Sequence, residues 1–359
     1  MRRRNLTFSF LLFASMAVVI PLLIFSYRAT SQTRERTVNA NRNSGLNSQN
    51  EAGATPASQE VVKVDVDLVK VDALVLQKDT ARIVGDLKKE DFLIYEDGTR
   101  QEITHFSQDS LPLSVILLVD RGGCLDPYGD EVHRAAREAI DRLKIVDEVA
   151  VMSYHSTTTM VQRFTRNRML IEEALNRIPP HEEEAGHCLN KAMADAASYM
   201  IDAANPVGRR VVIVITGVTR AFDCLDGPSG KSAAQAIFES GAVVCGIIPK
   251  DPLQGLENGM MIWATRMGKL GRAPYTDLQT LANETGGEIL SDKAGKLETT
   301  FQTLIDHLRS RYNLAFVSTN KTRDGSIRRL KLDVTAPPNQ PAKSKLVVKA
   351  RRTYVAPKG

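Results

Sequence analysis

Cysteine is scarce in this chain and is not arranged for redox work. Cys124, Cys188, Cys224 and Cys245 are the four present, and no two form the Cys-x-x-Cys pair that activates a thiol. Basic residues are in only mild excess: 47 Lys and Arg interleave with 42 Asp and Glu, for a net charge of +5. Without an aromatic-studded basic stripe, the chain is not expected to bind nucleic acid. A phosphate-binding loop is absent too. Gly230-Lys231-Ser232 has the ending of one, but the position that needs the leading glycine holds Leu225, so the segment reads as a turn and helix start. Nor is there a convincing nucleophile–base–acid trio, since Ser153, His155 and Asp147 share one strand region and fit core and surface roles equally well. These absences argue against an enzyme.

What is present begins with an export feature. Arg2-Arg3-Arg4 precede an apolar run from Leu6 to Tyr27, close to the roughly 20 residues that span a bilayer as a helix, with the cationic flank on the cytoplasmic side. Tyr27-Arg28-Ala29 is a poor match to an A-x-A cleavage site, and no lipobox cysteine follows. Residues 1–30 are therefore a signal peptide or an N-terminal membrane anchor, with membrane contact over residues 6–27. The rest of the chain is expected outside the cytoplasm, in the periplasm or at the cell surface, inner-membrane anchored or secreted. Residues 31–60 are Asn/Ser/Gln/Ala/Gly-rich with almost no large apolar residue, and read as a flexible linker.

Residues 61–110 form an N-terminal β segment. Alternation from Val62 changes phase at Leu68-Val69, which predicts a kinked strand. Further strands are expected at 91–98, ending in the Asp97-Gly98 turn, and at 101–107. Over residues 111–312, apolar strands (113–120, 148–155, 159–164, 210–216, 242–249, 288–290) alternate with helices (131–143, 168–177, 188–204, 232–240, 277–285, 297–311), with a surface insertion near 250–275. The pattern predicts an α/β unit built on a mainly parallel sheet with helices on both faces. Residues 313–359 return to β texture, with strands expected at 313–319, 327–335 and 345–354. Neither flanking segment has enough strands to stand alone, so the N- and C-terminal strands are expected to pack together as a small β-rich module.

Leu113–Val119 deliver Asp120 into a loop, and this order of elements resembles the von Willebrand factor A (vWA) domain, a Rossmann-like α/β fold. More narrowly, the chain resembles bacterial, Acidobacterial-type vWA-related exported proteins. It shares the phrase Leu87-x-x-x-Asp91-Phe92-x-Ile94-x-Glu96-Asp97-Gly98, then Leu111-Pro112-Leu113-Ser114-Val115, and near the end Arg311-Tyr312-Asn313-Leu314-Ala315-Phe316. The resemblance implies a metal-ion-dependent adhesion site on three loops at the carboxyl edge of the sheet, the edge where open α/β sheets bind ligands. Its usual side chains are mostly replaced. Loop one, normally Asp-x-Ser-x-Ser, reads Asp120-Arg121-Gly122-Gly123-Cys124. Loop two carries His187 at the threonine position, and loop three reads Thr216-Gly217-Val218 where Thr-Asp-Gly is usual. A Mg²⁺ ion needs several oxygen donors in near-octahedral array, so the expectation is a degenerate site with no metal and no other cofactor.

The ligand-binding edge is accordingly assigned to Asp120, Arg121, Gly122, Cys124, His187, Thr216 and Gly217, with Arg220 adding charge, and with no catalytic residues. Cys124, Cys188 and Cys224 fall on this edge, and in an oxidising compartment two of them are expected to pair as a disulfide, with the pairing left open. Cys245 reads as a core thiol. A soft-metal site from His181, His187, Cys124 and Cys188 is the competing arrangement. The function expected is binding of a protein or other ligand by an exported, membrane-anchored protein. The alternatives are an envelope scaffold and a thiol- or zinc-dependent enzyme.

Overall fold

The computed structural model describes residues 68–178, 186–205, 208–250, 274–335 and 345–359, all within one compact unit, Lys63–Gly359. The apolar run at 6–27, the linker at 31–60, the first residues of the kinked strand and most of the insertion near 250–275 lie outside them. No helix among the described residues is long and apolar enough to cross a membrane.

The chain opens with β1 (Leu68–Gln77), β2 (Phe92–Glu96), β3 (Thr99–Gln101) and β4 (Ile103–Ser107). It then alternates through β5 (Leu113–Asp120), α1 (Gly129–Asp141), β6 (Glu148–Tyr154), β7 (Thr158–Thr165), α2 (Arg168–Asn176), α3 (Leu189–Tyr199), β8 (Arg209–Ile215) and β9 (Arg220–Phe222). Next come α4 (Gly230–Ser240), β10 (Val243–Pro249), β11 (Tyr275–Asp277), α5 (Leu278–Thr285), β12 (Ile289–Asp292) and α6 (Leu297–Arg309). Strands β13 (Tyr312–Val317), β14 (Ile327–Val334), β15 (Leu346–Ala350) and β16 (Thr353–Val355) close the chain.

The central sheet has the order β12-β10-β8-β5-β6-β7. Its pairs are parallel except for β6–β7 at one edge. Every residue of β5 and β6 is buried, as expected of strands covered on both faces. Side chains alternate between those faces. Val115, Leu117 and Val119 pack with α1, α2 and α6, while Ile116 and Leu118 pack with α3, α4 and α5. This mixed α/β sheet is the fold class that the sequence predicts.

The terminal strands make two further antiparallel sheets, β15-β1-β13-β4 and β16-β14-β2-β3, around a shared core that includes Val71, Phe92, Ile94, Tyr312, Phe316 and Leu330. Each sheet draws strands from both ends of the chain. The strand expected at 101–107 is instead broken at Glu102, with β3 in one sheet and β4 in the other. The strand expected at 345–354 breaks at Arg351-Arg352 in the same way. Both breaks are corners where a strand changes sheets. Asp97 and Gly98 have φ of 46° and 85°, the left-handed geometry of a two-residue hairpin turn.

A polar network ties the two chain ends together inside this sandwich. Glu96, 2% exposed, accepts from the Ser318 hydroxyl at 2.6 Å, from Arg328 at 3.0 Å and from the Tyr354 hydroxyl. Burial raises its carboxyl pKa, but these hydrogen bonds outweigh that and hold it below the usual range. Removing one partner of a buried ion pair leaves an uncompensated charge. Glu96→Ala is therefore expected to cost about 3–5 kcal/mol of unfolding free energy in denaturant melts. A loss below about 1 kcal/mol, the worth of an exposed pair, would contradict this role.

Candidate functional site at the carboxyl edge of the sheet

Three adjacent parallel strands bring the site together. Asp120 ends β5, Tyr154 ends β6 in register opposite it, and Thr216 follows β8. The Asp120 side chain has no exposure, so its charge has to be met from within. The Gly122 N–H donates to Oδ1 at 2.9 Å. Oδ2 accepts from the Thr216 hydroxyl at 2.6 Å and the Tyr154 hydroxyl at 3.0 Å. His187, from the segment leading into α3, places Nδ1 2.9 Å from Oδ2 and 3.0 Å from Oδ1. A carboxylate only accepts, so Nδ1 carries the proton.

The electrostatics follow from these contacts. Burial pushes the Asp120 carboxyl up, but the hydrogen bond and charge of His187, with Thr216 and Gly122, outweigh it and hold the group below the usual carboxylate range. The His187 imidazole is raised above its ordinary value by its hydrogen bond to Asp120, against the opposing effect of burial. Burial and the Asp120 charge together push the Cys124 thiol well above its ordinary value, so it is a protonated thiol and not a nucleophile at neutral pH. Its Sγ accepts from the Gly217 N–H at 3.1 Å.

Glycine at 122 makes room for the imidazole. A Cβ there would lie 2.5 Å from His187 Nδ1 and Cε1, so the ring occupies the space that a side chain in this loop would take. Cys188 and Cys224 form a disulfide with Cα atoms 5.4 Å apart, joining the start of α3 to the loop after β9. Asn190 reinforces the same junction, donating to the carbonyls of Cys224 and Pro228 at 3.0 and 2.8 Å. Of the three cysteines assigned to this edge, Cys124 lies outside the bridge, and Cys245 is buried in β10.

Asp120, Gly122, Cys124, His187, Thr216 and Gly217 therefore come together. Arg121 is adjacent but only 7% exposed, and Arg220 is engaged by Asp277 at 2.6 Å and lies over the Tyr275 ring. His181 lies outside the described residues, and Cys188 is committed to the disulfide, so the four-ligand soft-metal arrangement is not assembled. Asp120, Cys124 and His187 do hold ligand-type atoms within 4.8 Å of one another. Asp147 sits at the opposite end of β6 from Tyr154. There it accepts from the backbone N–H of Leu113 and of Lys144 at 2.8 and 2.6 Å and pairs with Arg309. Ser229 caps α4, accepting from the Ser232 N–H at 3.2 Å, as the turn reading of that segment expects. Tyr154 was missed from sequence, although its place at the end of the strand beside Asp120 is the signal that marks it.

An open, mainly parallel α/β sheet with a loop-built site at its carboxyl edge is a ligand-binding architecture. Residues 115–219 match the family model of the von Willebrand factor type A domain, and over that segment the chain is vWA-like. No curated protein matches it. Among solved structures it is similar to an aerotolerance-related membrane protein from Bacteroides fragilis, at 16% identity over 55% of this chain and 98% of that one, TM-score 0.39. It is also similar to a von Willebrand factor type A protein from Catenulispora acidiphila, at 12% identity over 80% and 74%, TM-score 0.39. A third similarity is to proximal thread matrix protein 1 of the mussel byssus with a zinc-occupied site, at 11% identity over 60% and 50%, TM-score 0.43.

Two outcomes follow from the His187–Asp120 contact. Gly122→Ser should force the ring aside and lower unfolding free energy by about 1–3 kcal/mol, as overpacking does; unchanged denaturant melts would show that the ring is not held there. Because the folded-state pKa of His187 is raised, its contribution is complete below the unfolded value of about 6.5 and fades as pH rises through the folded value. The stability difference between the native chain and His187→Asn should thus shrink from about pH 6 to pH 9. An equal difference at both ends would contradict the charge assignment.

Proposed function

We propose that this chain is an exported, membrane-anchored vWA protein that binds a protein partner at the carboxyl edge of its sheet without a divalent cation. The observation that carries the reading is the 2.9 Å contact of His187 Nδ1 with Asp120: an imidazole faces the surviving carboxylate where a cation stands in the family. The donors around it are one carboxylate, the hydroxyls of Thr216 and Tyr154, a thiol and an imidazole. Mg²⁺ and Ca²⁺ take mostly oxygen ligands, and this set does not fit them. Recognition then rests on the shape of loops held by the disulfide and by Asn190. The disulfide also supports an oxidising location outside the cytoplasm, in keeping with the apolar run at 6–27. The raised thiol pKa of Cys124 speaks against thiol catalysis.

A zinc site is the second reading, favoured by the closeness of Asp120, Cys124 and His187 and by the preference of that ion for N and S ligands. Calorimetry on the full chain separates the two. No saturable heat with Mg²⁺, Mn²⁺, Ca²⁺ or Zn²⁺ is the expected result. Saturable Mg²⁺ binding that Asp120→Asn abolishes would overturn the cation-free reading. Zn²⁺ binding lost on Cys124→Ser would establish the second.

A further inference from the structure

A feature that the carboxyl-edge site does not explain lies at the opposite end of the central sheet, where it meets the β sandwich. A cavity of about 970 Å³ opens there, between β1 and β13 on one side and the starts of β8 and β10 on the other. Six lysines and arginines line it against three carboxylates. Of these carboxylates Asp72 is paired with a cation, while Asp109 and Glu239 hold neutral donors and keep their charge. Asp72 takes the Arg209 guanidinium at 2.7 Å, Asp109 accepts from Ser107, and Glu239 accepts from Gln235. Arg209 and Arg328 are also fully employed, by Asp72, Asn313 and the Leu308 carbonyl and by the Glu96 network respectively.

Arg210 and Arg351 are different. Arg210 donates to the Ser240 carbonyl at 2.9 Å and Arg351 to the Gly241 carbonyl at 2.6 Å. Both guanidiniums thus converge on the turn that ends α4, and neither has a carboxylate in salt-bridge range among the described residues. Cations at a helix C-terminus are favourable, which accounts for one hydrogen bond from each side chain. A guanidinium has five N–H donors, so one carbonyl each leaves most of theirs available to a ligand in the cavity that both residues line.

Positive charge is also in excess around Asp72, which lines the same cavity. Asp72 lies in the field of Arg209, Arg311 and Arg351 together. Arg311 is 1% exposed, and its Nε and Nη1 have no hydrogen-bond partner. The other carboxylate near Arg311, Glu288, is held by His307 at 2.8 Å and Lys349 at 3.0 Å. Buried cations that outnumber their counter-ions are costly unless an anion completes them. Phe238, Val243, Leu314 and Val355 add apolar surface to a wall that also carries polar groups such as Thr285 and Asn320, and the volume falls in the range of small-molecule sites at domain interfaces.

We propose that this cavity binds a small organic oxyanion, its phosphate or carboxylate head between Arg210 and Arg351 and its apolar body against Phe238 and Leu314. Guanidinium pairs hold either head by bidentate hydrogen bonds. Inorganic phosphate alone leaves most of the space unfilled.

Calorimetric titration of the full chain with phenyl phosphate, benzoate and inorganic phosphate, at matched ionic strength, tests the site. Phenyl phosphate or benzoate is expected to bind saturably and more tightly than inorganic phosphate, and the stronger of the two identifies the head group. Arg210→Gln and Arg351→Gln should each weaken that binding about tenfold or more, while Lys231→Gln, outside the cavity, leaves it unchanged. If Arg351→Gln fails to fold, the half-buried Arg210 decides alone. No saturable binding by any of the three probes, or equal binding by Arg210→Gln, overturns the proposal.

Discussion

Burying an ionised carboxylate at the end of a central strand imposes a demand that its surroundings have to meet. Asp120 has no solvent exposure, and each of its donors comes from a different piece of the edge: Gly122 from its own loop, Tyr154 from the next strand, Thr216 from the strand on the other side and His187 from the segment before α3. In a low-dielectric setting each of these bonds is strengthened, and each loss is expensive. The carboxylate therefore organises the three loops, and the disulfide fixes the outer two to each other.

The same principle operates at the other end of the molecule with the signs reversed. There, guanidiniums outnumber carboxylates around Asp72, and a cavity lies beside them. The sandwich that encloses this region is made from both ends of the chain and locked by Glu96 and Arg328. The central sheet is thus held between one edge where an internal imidazole answers a carboxylate and another where three guanidiniums surround one.

Much of this architecture was legible from periodicity. Runs such as Leu113–Val119 are apolar at every position but Ser114 because both faces are covered, and a short run of that kind between helical segments reads as a strand of a covered parallel sheet. The two sheet-changing corners were not legible, because no glycine or proline marks Glu102 or Arg351-Arg352, where the backbone turns. Strands β9 and β11 are three residues each and exist only through their mutual pairing, which leaves no local signal. At the site, the loss of the usual side chains was visible in Gly122, Cys124 and Gly217. The replacement was not, because the contact of His187 with Asp120 spans 67 residues, and the glycine that admits the ring carries no mark of what fills its space. Cysteine spacing left the disulfide open among Cys124, Cys188 and Cys224, and chain geometry selected Cys188 with Cys224.

In the proposed reading the His187 imidazolium stands at Asp120 in place of a divalent cation. Nitrogen-detected NMR of the His187 ring across pH, with and without Mg²⁺, tests it most directly. The ring is expected to be protonated on Nδ1, to titrate above its ordinary value of 6.5 and not to respond to Mg²⁺. Titration at or below that value, or a Mg²⁺-dependent shift of the ring, would contradict it.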